Sequence, residues 1–389
     1  MDKPPVKPRD TFALKLSLFY ATLGITTGVG MPFFPLWLEN KGVTAAEIGV
    51  ILAMPMLVRI INVPLATRFA DRFNMWRGAM LIGSVGAAVG NACLDLVDGF
   101  IPLMFMIVVA AIFFTPTFPL TDAYALRGLA ERGRAYGPVR LWSTAAFIVA
   151  NVGAGSIVMA LGRFSIIWMI VIGYVIGALI VLVMTPATPH HDAHAGEPAS
   201  SASLWRQPSF LAIIIACSVV QSSHAFYYGF STLSWSAKAM NDTLIGTLWA
   251  IGGIAEIVLF AASGWLARYI GPVAMVVIGA AGALARWVIM ALDPPLLTLP
   301  ALQCLHALSF GATHMGAMQF LARVAPPGLG ATVQGDFAAA QALVFAGAMG
   351  ISGVLFRSYG DLGYALMALL AAVGLVIAVL GYAKRPKDT

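Results

Sequence analysis

Charge is what this chain lacks. Only 10% of its 389 residues are Asp, Glu, Lys or Arg, and 60% are apolar, whereas an ordinary soluble domain carries about 25% charged residues. With a mean hydropathy of +0.86, a water-solvated fold is excluded and a lipid bilayer is the implied solvent. Cysteine is scarce as well. Cys93, Cys217 and Cys304 lie far apart in apolar runs, which excludes a disulfide framework or a thiolate zinc site and leaves them as small core residues. The apolar stretches show no period-2 alternation, which excludes a membrane β-barrel. HExxH, GxSxG and facing aspartate pairs are missing too, so the chain is not expected to be an enzyme.

Long apolar runs are what the chain has. Each is long enough to cross ~30 Å of hydrocarbon, and a backbone in lipid must satisfy its own hydrogen bonds, so each reads as a helix. The runs fall near 11–38, 44–68, 78–97, 101–126, 136–161, 164–185, 208–237, 243–267, 272–292, 296–322, 329–356 and 359–382. This predicts an all-α polytopic membrane protein with twelve transmembrane helices. The first run is too long for a signal-peptide core and has no small-residue cleavage site, so it is expected to be retained. One set of ends and loops holds 17 Lys and Arg, and the other holds four: Lys41, Arg163, Lys238 and Arg357. That bias predicts two cytoplasmic termini. The net charge of +6 is then a topology signal, and no nucleic-acid partner is expected.

Between the sixth and seventh runs lies PATPHHDAHAGEPASSAS, a composition that cannot bury a core. Residues 186–207 are read as a cytoplasmic linker between an N-terminal six-helix bundle (1–185) and a C-terminal one (208–389). His190, His191 and His194 sit in this segment and read as solvated linker in preference to a metal site. No metal and no cofactor is expected. The halves carry a trace of repetition: Thr67-Arg-Phe-Ala-Asp71-Arg72 ends the second run and Gly264-Trp-Leu-Ala-Arg268-Tyr ends the eighth, 197 residues on (264 minus 67). Duplicated halves with a site between them are a transporter signature.

A charge at mid-bilayer costs from ~3 to over 10 kcal/mol, so each one present needs a partner, water or a function. Counted from the inner helix ends, Asp122 and Arg140 lie at matching depths of ~8–9 Å and are expected to pair. Glu256 and Arg286, at ~18 and ~21 Å, are expected to pair near the midplane, and Arg59 stands alone at ~13 Å. Asp336 lies near the cytoplasmic edge, solvated or pairing in a latch. Helical spacing puts these residues on polar and aromatic stripes. Trp249, Gly252, Gly253, Glu256 and Phe260 form one, and Tyr136, Arg140, Thr144, Phe147 and Asn151 another. His224, Tyr227, Tyr228, Ser231 and Trp235 form a third, while His306, Phe310 and His314 share one face of the tenth run. Interhelical packing explains the aromatic residues as readily as binding does. It does not explain the charges, because uncharged polar residues bind helices together at lower cost.

The two helix-ending segments resemble the loop motif of the major facilitator superfamily: a glycine, two residues, a small residue, Asp, then Arg or Lys. The first copy keeps Asp71 and Arg72 but has Thr67 for the glycine, and the second keeps Gly264 but has Arg268 for the acid. The resemblance implies the major facilitator fold and a conformational latch at Asp71 and Arg72. PFFPLWL at 32–38, LTDAYAL at 120–126, YGPVRLW at 136–142, HAFYYGF at 224–230, AEIVLF at 255–260, ARW at 285–287 and LHALSFGATHMGAMQFL at 305–321 narrow it. Together they resemble the phenylpropionate-permease-like branch of proton symporters, more distantly related to lactose and nucleoside permeases, over essentially the whole chain. Asp122 and Arg140 match the carboxylate–arginine pair of the lactose permease, and Glu256, Arg286 and His306 match its C-terminal polar network. Ser309 departs from it, standing where the sugar symporter has its proton-carrying glutamate.

The resulting expectation is a secondary active transporter of the bacterial inner membrane, a proton symporter for a small organic solute, working as a monomer. The resemblance implies an aromatic carboxylate such as 3-phenylpropionate, with a sugar or nucleoside symporter, or a non-transporting membrane sensor, as alternatives. Arg140, Arg286 or Arg59 are expected to hold the carboxylate while Tyr227, Tyr228, Trp235 and Trp249 pack the ring. Glu256 is the first choice to load the proton, followed by His306, His314 and His224, because imidazole titrates near physiological pH.

Overall fold

The computed structural model describes residues 11–185, 201–326 and 329–383. His190, His191 and His194 and both chain ends lie outside the described residues. The described chain is helical throughout. In order come α1 (Phe12–Asn40), α2 (Ala45–Arg72), α3 (Trp76–Asp95), α4 (Phe100–Phe114), α5 (Thr117–Ala130), α6 (Gly137–Leu161), α7 (Ser165–Val183) and α8 (Pro208–Ser222). Then follow α9 (Ala225–Ala237), α10 (Asp242–Ala261), α11 (Ser263–Leu266), α12 (Pro272–Ala291), α13 (Leu299–Cys304), α14 (Thr313–Val324), α15 (Gly330–Tyr359) and α16 (Tyr364–Ala383).

Among the described residues, eleven stretches are long and apolar enough to cross a membrane. The first ten match the expected runs one for one. The eleventh, Thr332–Gly381, is 50 residues long and covers the two runs expected near 329–356 and 359–382. An unbroken helix of that length would extend ~75 Å, more than twice the hydrocarbon thickness. Gly360 interrupts it at φ 55° and ψ −134°, a conformation open to glycine and not to a side chain. A single 3-10 turn, Gly360–Gly363, then leads into α16.

Three crossing stretches are broken where polar residues enter the interior. Between α4 and α5, Pro116 has no N–H for the Ile112 carbonyl; the Asn62 side-chain amide donates to that carbonyl from α2 at 2.7 Å, satisfying a group that lipid cannot. Between α8 and α9 there is no proline. Ser223 instead turns its hydroxyl back on the Val220 carbonyl at 2.6 Å and accepts the Trp287 indole N–H at 2.8 Å, a local competition that interrupts the helix. Between α13 and α14, residues Ala307–Ala312 form a π-helical segment. Gly279 of α12 packs so close there that a Cβ would lie 2.2 Å from Thr313 Oγ1. Segments of this kind concentrate at functional sites.

The halves of the chain meet along α2 against α15 and α6 against α10, with α1 touching α9. The approach is closest at one end of the molecule. A Cβ on Gly49 would lie 2.9 Å from Gly353 Cα, and one on Gly246 would lie 2.0 Å from the Asn151 carbonyl oxygen. Ser156 and Thr243 hydroxyls bond at 3.2 Å, and Arg163 joins Glu39 at 2.6 Å to Ser236 at 2.8 Å. The helix-ending lysines cap the same end: Lys41 reaches Asp98 at 3.0 Å, and Lys238 binds Asp293 and Asp361. Burial alone would depress the Lys238 ammonium pKa, but hydrogen bonds to the Asp293 and Asp361 carboxylates outweigh it and hold the group above its ordinary value. At the opposite end, the last carbonyls of α7 are taken up by Lys15 (to Val183, 2.7 Å) and Arg77 (to Val181, 2.9 Å), and Tyr124 donates to the Thr185 carbonyl just beyond it. The cationic donors Lys15 and Arg77 complement the dipole at this end of α7.

Side chains at Gly49 and Gly246 would wedge the halves apart at their closed end. At about 1–3 kcal/mol per overpacked contact, Gly49→Leu with Gly246→Leu is expected to raise the labelling of a cysteine placed at Thr27, in the cavity described below, about tenfold or more. The label is a membrane-impermeant maleimide added from the side where these crossings lie, in a background free of the native cysteines.

Candidate functional site

Three cavities follow one another, the first lined by the N-terminal half alone and the other two by residues of both halves. The first, of about 330 Å³, is polar: Arg59 of α2, Asp122 of α5 and Arg140 of α6 face it together with Thr115, Phe118 and Tyr174. Asp122 accepts from the Tyr20 hydroxyl at 2.5 Å and the Tyr136 hydroxyl at 2.8 Å, and Arg140 Nε stands 3.6 Å from the same oxygen. The Arg140 guanidinium lies over Phe118 at 4.7 Å and over Tyr20 at 5.4 Å. Arg59 has no carboxylate within ion-pair distance among the described residues. Two guanidiniums against one carboxylate leave one positive charge unmatched, which suits an anion.

The second cavity, about 300 Å³, shares Thr26, Thr27, Pro55, Met56, Phe114 and Tyr174 with the first and is otherwise walled mainly by apolar groups such as Phe34, Ile107, Phe345 and Met349, with Asn91 and Tyr228 beside them. The third, about 140 Å³, shares Met31 and Tyr228 with the second and adds Tyr227, Trp249, Glu256, His306 and Phe310. Exposure falls along this path. Asp122 and Arg140 keep 37% and 34% of their side-chain surface, Glu256 keeps 23% and His306 12%, so the pocket is open at its polar N-terminal-half end.

Behind the third cavity lies a buried network centred on Arg286, which has no exposed surface. Its guanidinium donates to Gln303 Oε1 at 2.8 Å, to His306 Nδ1 at 3.1 Å and to Ser309 Oγ at 3.3 Å, and lies over the Tyr227 ring at 4.5 Å. These bonds have a direction. Arginine only donates, so His306 Nδ1 accepts and its proton sits on Nε2, 3.6 Å from Glu256 Oε2. The Gln221 carbonyl only accepts, so His224 Nδ1, 3.2 Å away, carries the proton and His224 Nε2 takes the Ser309 hydroxyl at 3.0 Å. The chain therefore runs from Arg286 through Ser309 to His224. Ser309 fits because a hydroxyl donates and accepts at once.

Several expectations change here. Glu256 and Arg286 form no ion pair: His306 stands between them, because α12 turns Arg286 toward α13 and the π-helical segment. Of the arginines proposed to hold a carboxylate, Arg59 and Arg140 face the first cavity, whereas Arg286 lines none of the three. Of the aromatic residues, Tyr227, Tyr228 and Trp249 line cavities, while Trp235 is buried beside Tyr227 with ring centres 6.1 Å apart. His224 is likewise fully buried. His314 stacks on Phe310 at 5.8 Å, as Phe310 does on His306 at 5.3 Å, so the stripe on that face forms despite the π-helical turn. Asp71 pairs with Arg127 at 2.7 Å within its own half, Arg72 lies over Phe73 at 5.7 Å, and Asp336 accepts from the Trp205 indole at 3.3 Å. Tyr20, Gln303 and Asn62 were missed. Each is a single polar side chain in an apolar run, and only Gln303, one turn before His306, gave a signal.

The chain belongs to the MFS_1 like family, whose model matches residues 13–376. It is a membrane transporter of the major facilitator class. It is 30% identical over 316 residues to a probable 3-phenylpropionic acid transporter of Escherichia coli, covering 79% of this chain and 81% of the relative. It is 25% identical to the maltose permease of Geobacillus stearothermophilus, over 79% and 78%. Its fold superposes on a point mutant of the nucleoside transporter NupG with a TM-score of 0.83 at 15% identity, covering 96% and 99% of the two chains. It superposes on a bacterial homologue of the lysosomal transporter Spinster, inward-facing and unoccupied, with a TM-score of 0.77 at 14% identity, covering 99% and 100%.

The directed chain makes Ser309 testable. Ser309→Ala removes an acceptor from Arg286 and the donor to His224, both buried, and is expected to cost about 1–3 kcal/mol. Thermal unfolding in detergent should show the loss, and Ser309→Thr, which keeps the hydroxyl, should recover most of it.

Proposed function

We propose that this protein is a proton symporter that imports an aromatic carboxylate such as 3-phenylpropionate across the bacterial inner membrane, working as a monomer by alternating access. The observation that carries the reading is the sequence of compartments: a cationic chamber at Arg59 and Arg140 opens directly into an apolar one walled by Phe34, Phe114, Tyr228 and Phe345. An anion attached to a ring matches that order, and the similarity to a phenylpropionic acid transporter points the same way. Residues 1–185 and 208–389 act as two six-span halves that rock about the site, with α15 and α16 counted separately to give twelve crossings and both termini in the cytoplasm. With that orientation the closed end is external and the structure is inward-open. Asp71 and Arg72 serve as the latch in the opposite state, Glu256 loads the proton, and His306 relays its position to Arg286.

A sugar or nucleoside symporter is the second reading, favoured by the Asp122–Arg140 pair with its two tyrosine hydroxyls, a cluster suited to substrate hydroxyl groups. Uptake into proteoliposomes under an imposed pH gradient separates the readings. Accumulation of 3-phenylpropionate, with maltose and nucleosides excluded, is expected; binding without flux would make the protein a sensor instead. Glu256→Gln should abolish uphill accumulation while sparing exchange, and retained accumulation would rule out Glu256 as the proton carrier.

A further inference from the structure

The third cavity asks for something a plain phenyl ring does not have. Glu256 faces it with a carboxylate that can accept several hydrogen bonds, yet no hydrogen bond to it is found among the described residues: His306 Nε2 stands at 3.6 Å, beyond good hydrogen-bonding distance, and His314 interacts with it only through charge. No hydrogen-bond partner for the Tyr228 hydroxyl is found among the described residues either, and Tyr228 lines both the apolar cavity and this one. The remaining walls are rings and glycines: Trp249, Phe310, Phe147, Gly252 and Gly253. A carboxylate so placed, partly withdrawn from water, is costly unless a donor reaches it. The chamber is small, about 140 Å³, room for a substituent and not for a second ring system.

Charge selects the kind of donor. The cavity walls alone balance, Arg59 and Arg140 against Asp122 and Glu256, and the buried Arg286 behind the third cavity leaves one net positive charge on the site as a whole. A monoanion cancels it, whereas a zwitterion carrying an ammonium group at the Glu256 end would leave it in place. The donor is therefore neutral. We infer that the substrate of this site is a ring-hydroxylated arylalkanoate, its carboxylate at Arg59 and Arg140, its ring in the apolar cavity, and a meta or para hydroxyl donating to Glu256 beside Tyr228. This inference rests on the aromatic-carboxylate reading above and narrows it.

Titration calorimetry on the purified protein in detergent tests it with a ligand series. The meta- or para-hydroxy derivative of 3-phenylpropionate is expected to bind about tenfold or more tightly than the unsubstituted acid, the size of a hydrogen bond to a charged group. The para-methoxy derivative, which cannot donate, should show no gain. In Glu256→Leu the ratio of hydroxylated to plain affinity should fall to about one. Because the methoxy comparison uses the unaltered protein, the test stands even if that variant fails to fold. Equal binding of the plain and hydroxylated acids would overturn the inference and leave the aromatic-carboxylate reading intact. Tighter binding of a para-aminomethyl derivative would overturn it in favour of an ammonium-bearing ligand. No binding of any member would overturn both.

Discussion

A cation with no exposed surface and no carboxylate beside it governs the C-terminal half. Arg286 sits in α12 where lipid and water are both shut out, and every neighbouring element is shaped to supply its acceptors. Gln303 comes from α13, His306 and Ser309 from the π-helical segment and its start, and the Tyr227 face from α9. Without these groups the guanidinium would face a desolvation cost that packing alone could not offset. Even so, Arg286 Nε and Gln303 Nε2 lack partners among the described residues. The network is therefore close to its limit, and a change in any acceptor will be felt by the others.

That constraint gives the repeated halves unequal work. An offset of 197 residues takes Thr44 to Asn241, Ala45 to Asp242, Gly49 to Gly246 and Lys41 to Lys238. Each of the four pairs plays the same structural part in both halves. Thr44 and Asn241 hold a helix N-cap position, and Ala45 and Asp242 set a carbonyl against a glycine of the other half. Gly49 and Gly246 make the close crossings, and Lys41 and Lys238 bind acidic loop residues. The same offset takes Arg59 to Glu256. The scaffold is conserved between the halves at the closed end, and the charge is inverted at the site. The offset pairs two positions that each carry a charge facing the pocket, Arg59 and Glu256, and their opposite signs create a polar axis running from one half to the other.

The crossings were legible because hydrophobic length is a strong signal, and α1 through α7 fall where the apolar runs do. Gly360 was less informative: the turn it makes is so tight that α15 and α16 form one continuous apolar stretch. The breaks inside crossings were not legible. Pro116 is visible as a breaker, but its compensation by Asn62 depends on how α2 lies, and Ser222–His224 contains no breaker at all. Among the charges, depth from the helix ends was enough to bring Asp122 to Arg140, whose side chains meet at the wall of the first cavity. It failed for Glu256 and Arg286. Depth says nothing about rotation around the axis, and the π-helical segment places His306 in the gap.

Ser309 ties these threads together. An acid there would sit within reach of Arg286 and neutralise it, leaving Glu256 with no electrostatic link to the network. A serine leaves Arg286 without a carboxylate partner and passes its hydrogen bonding to His224, so the side chain that stands between Arg286 and Glu256 is His306. On the proposed reading, the two carboxylates near the substrate then lie on opposite halves, Asp122 already accepting from two tyrosine hydroxyls with Arg140 beside it, Glu256 nearly bare. A ligand can shift an equilibrium between conformations only through contacts that differ between them. Asp122 and Arg140 belong to one half, so on that reading their mutual contacts persist as the halves rock. On the same reading, the contact that would change is the one between a ligand held by Arg59 and Arg140 and the carboxylate of Glu256 on the other side, which would put the coupling of substrate to conformation in the third cavity.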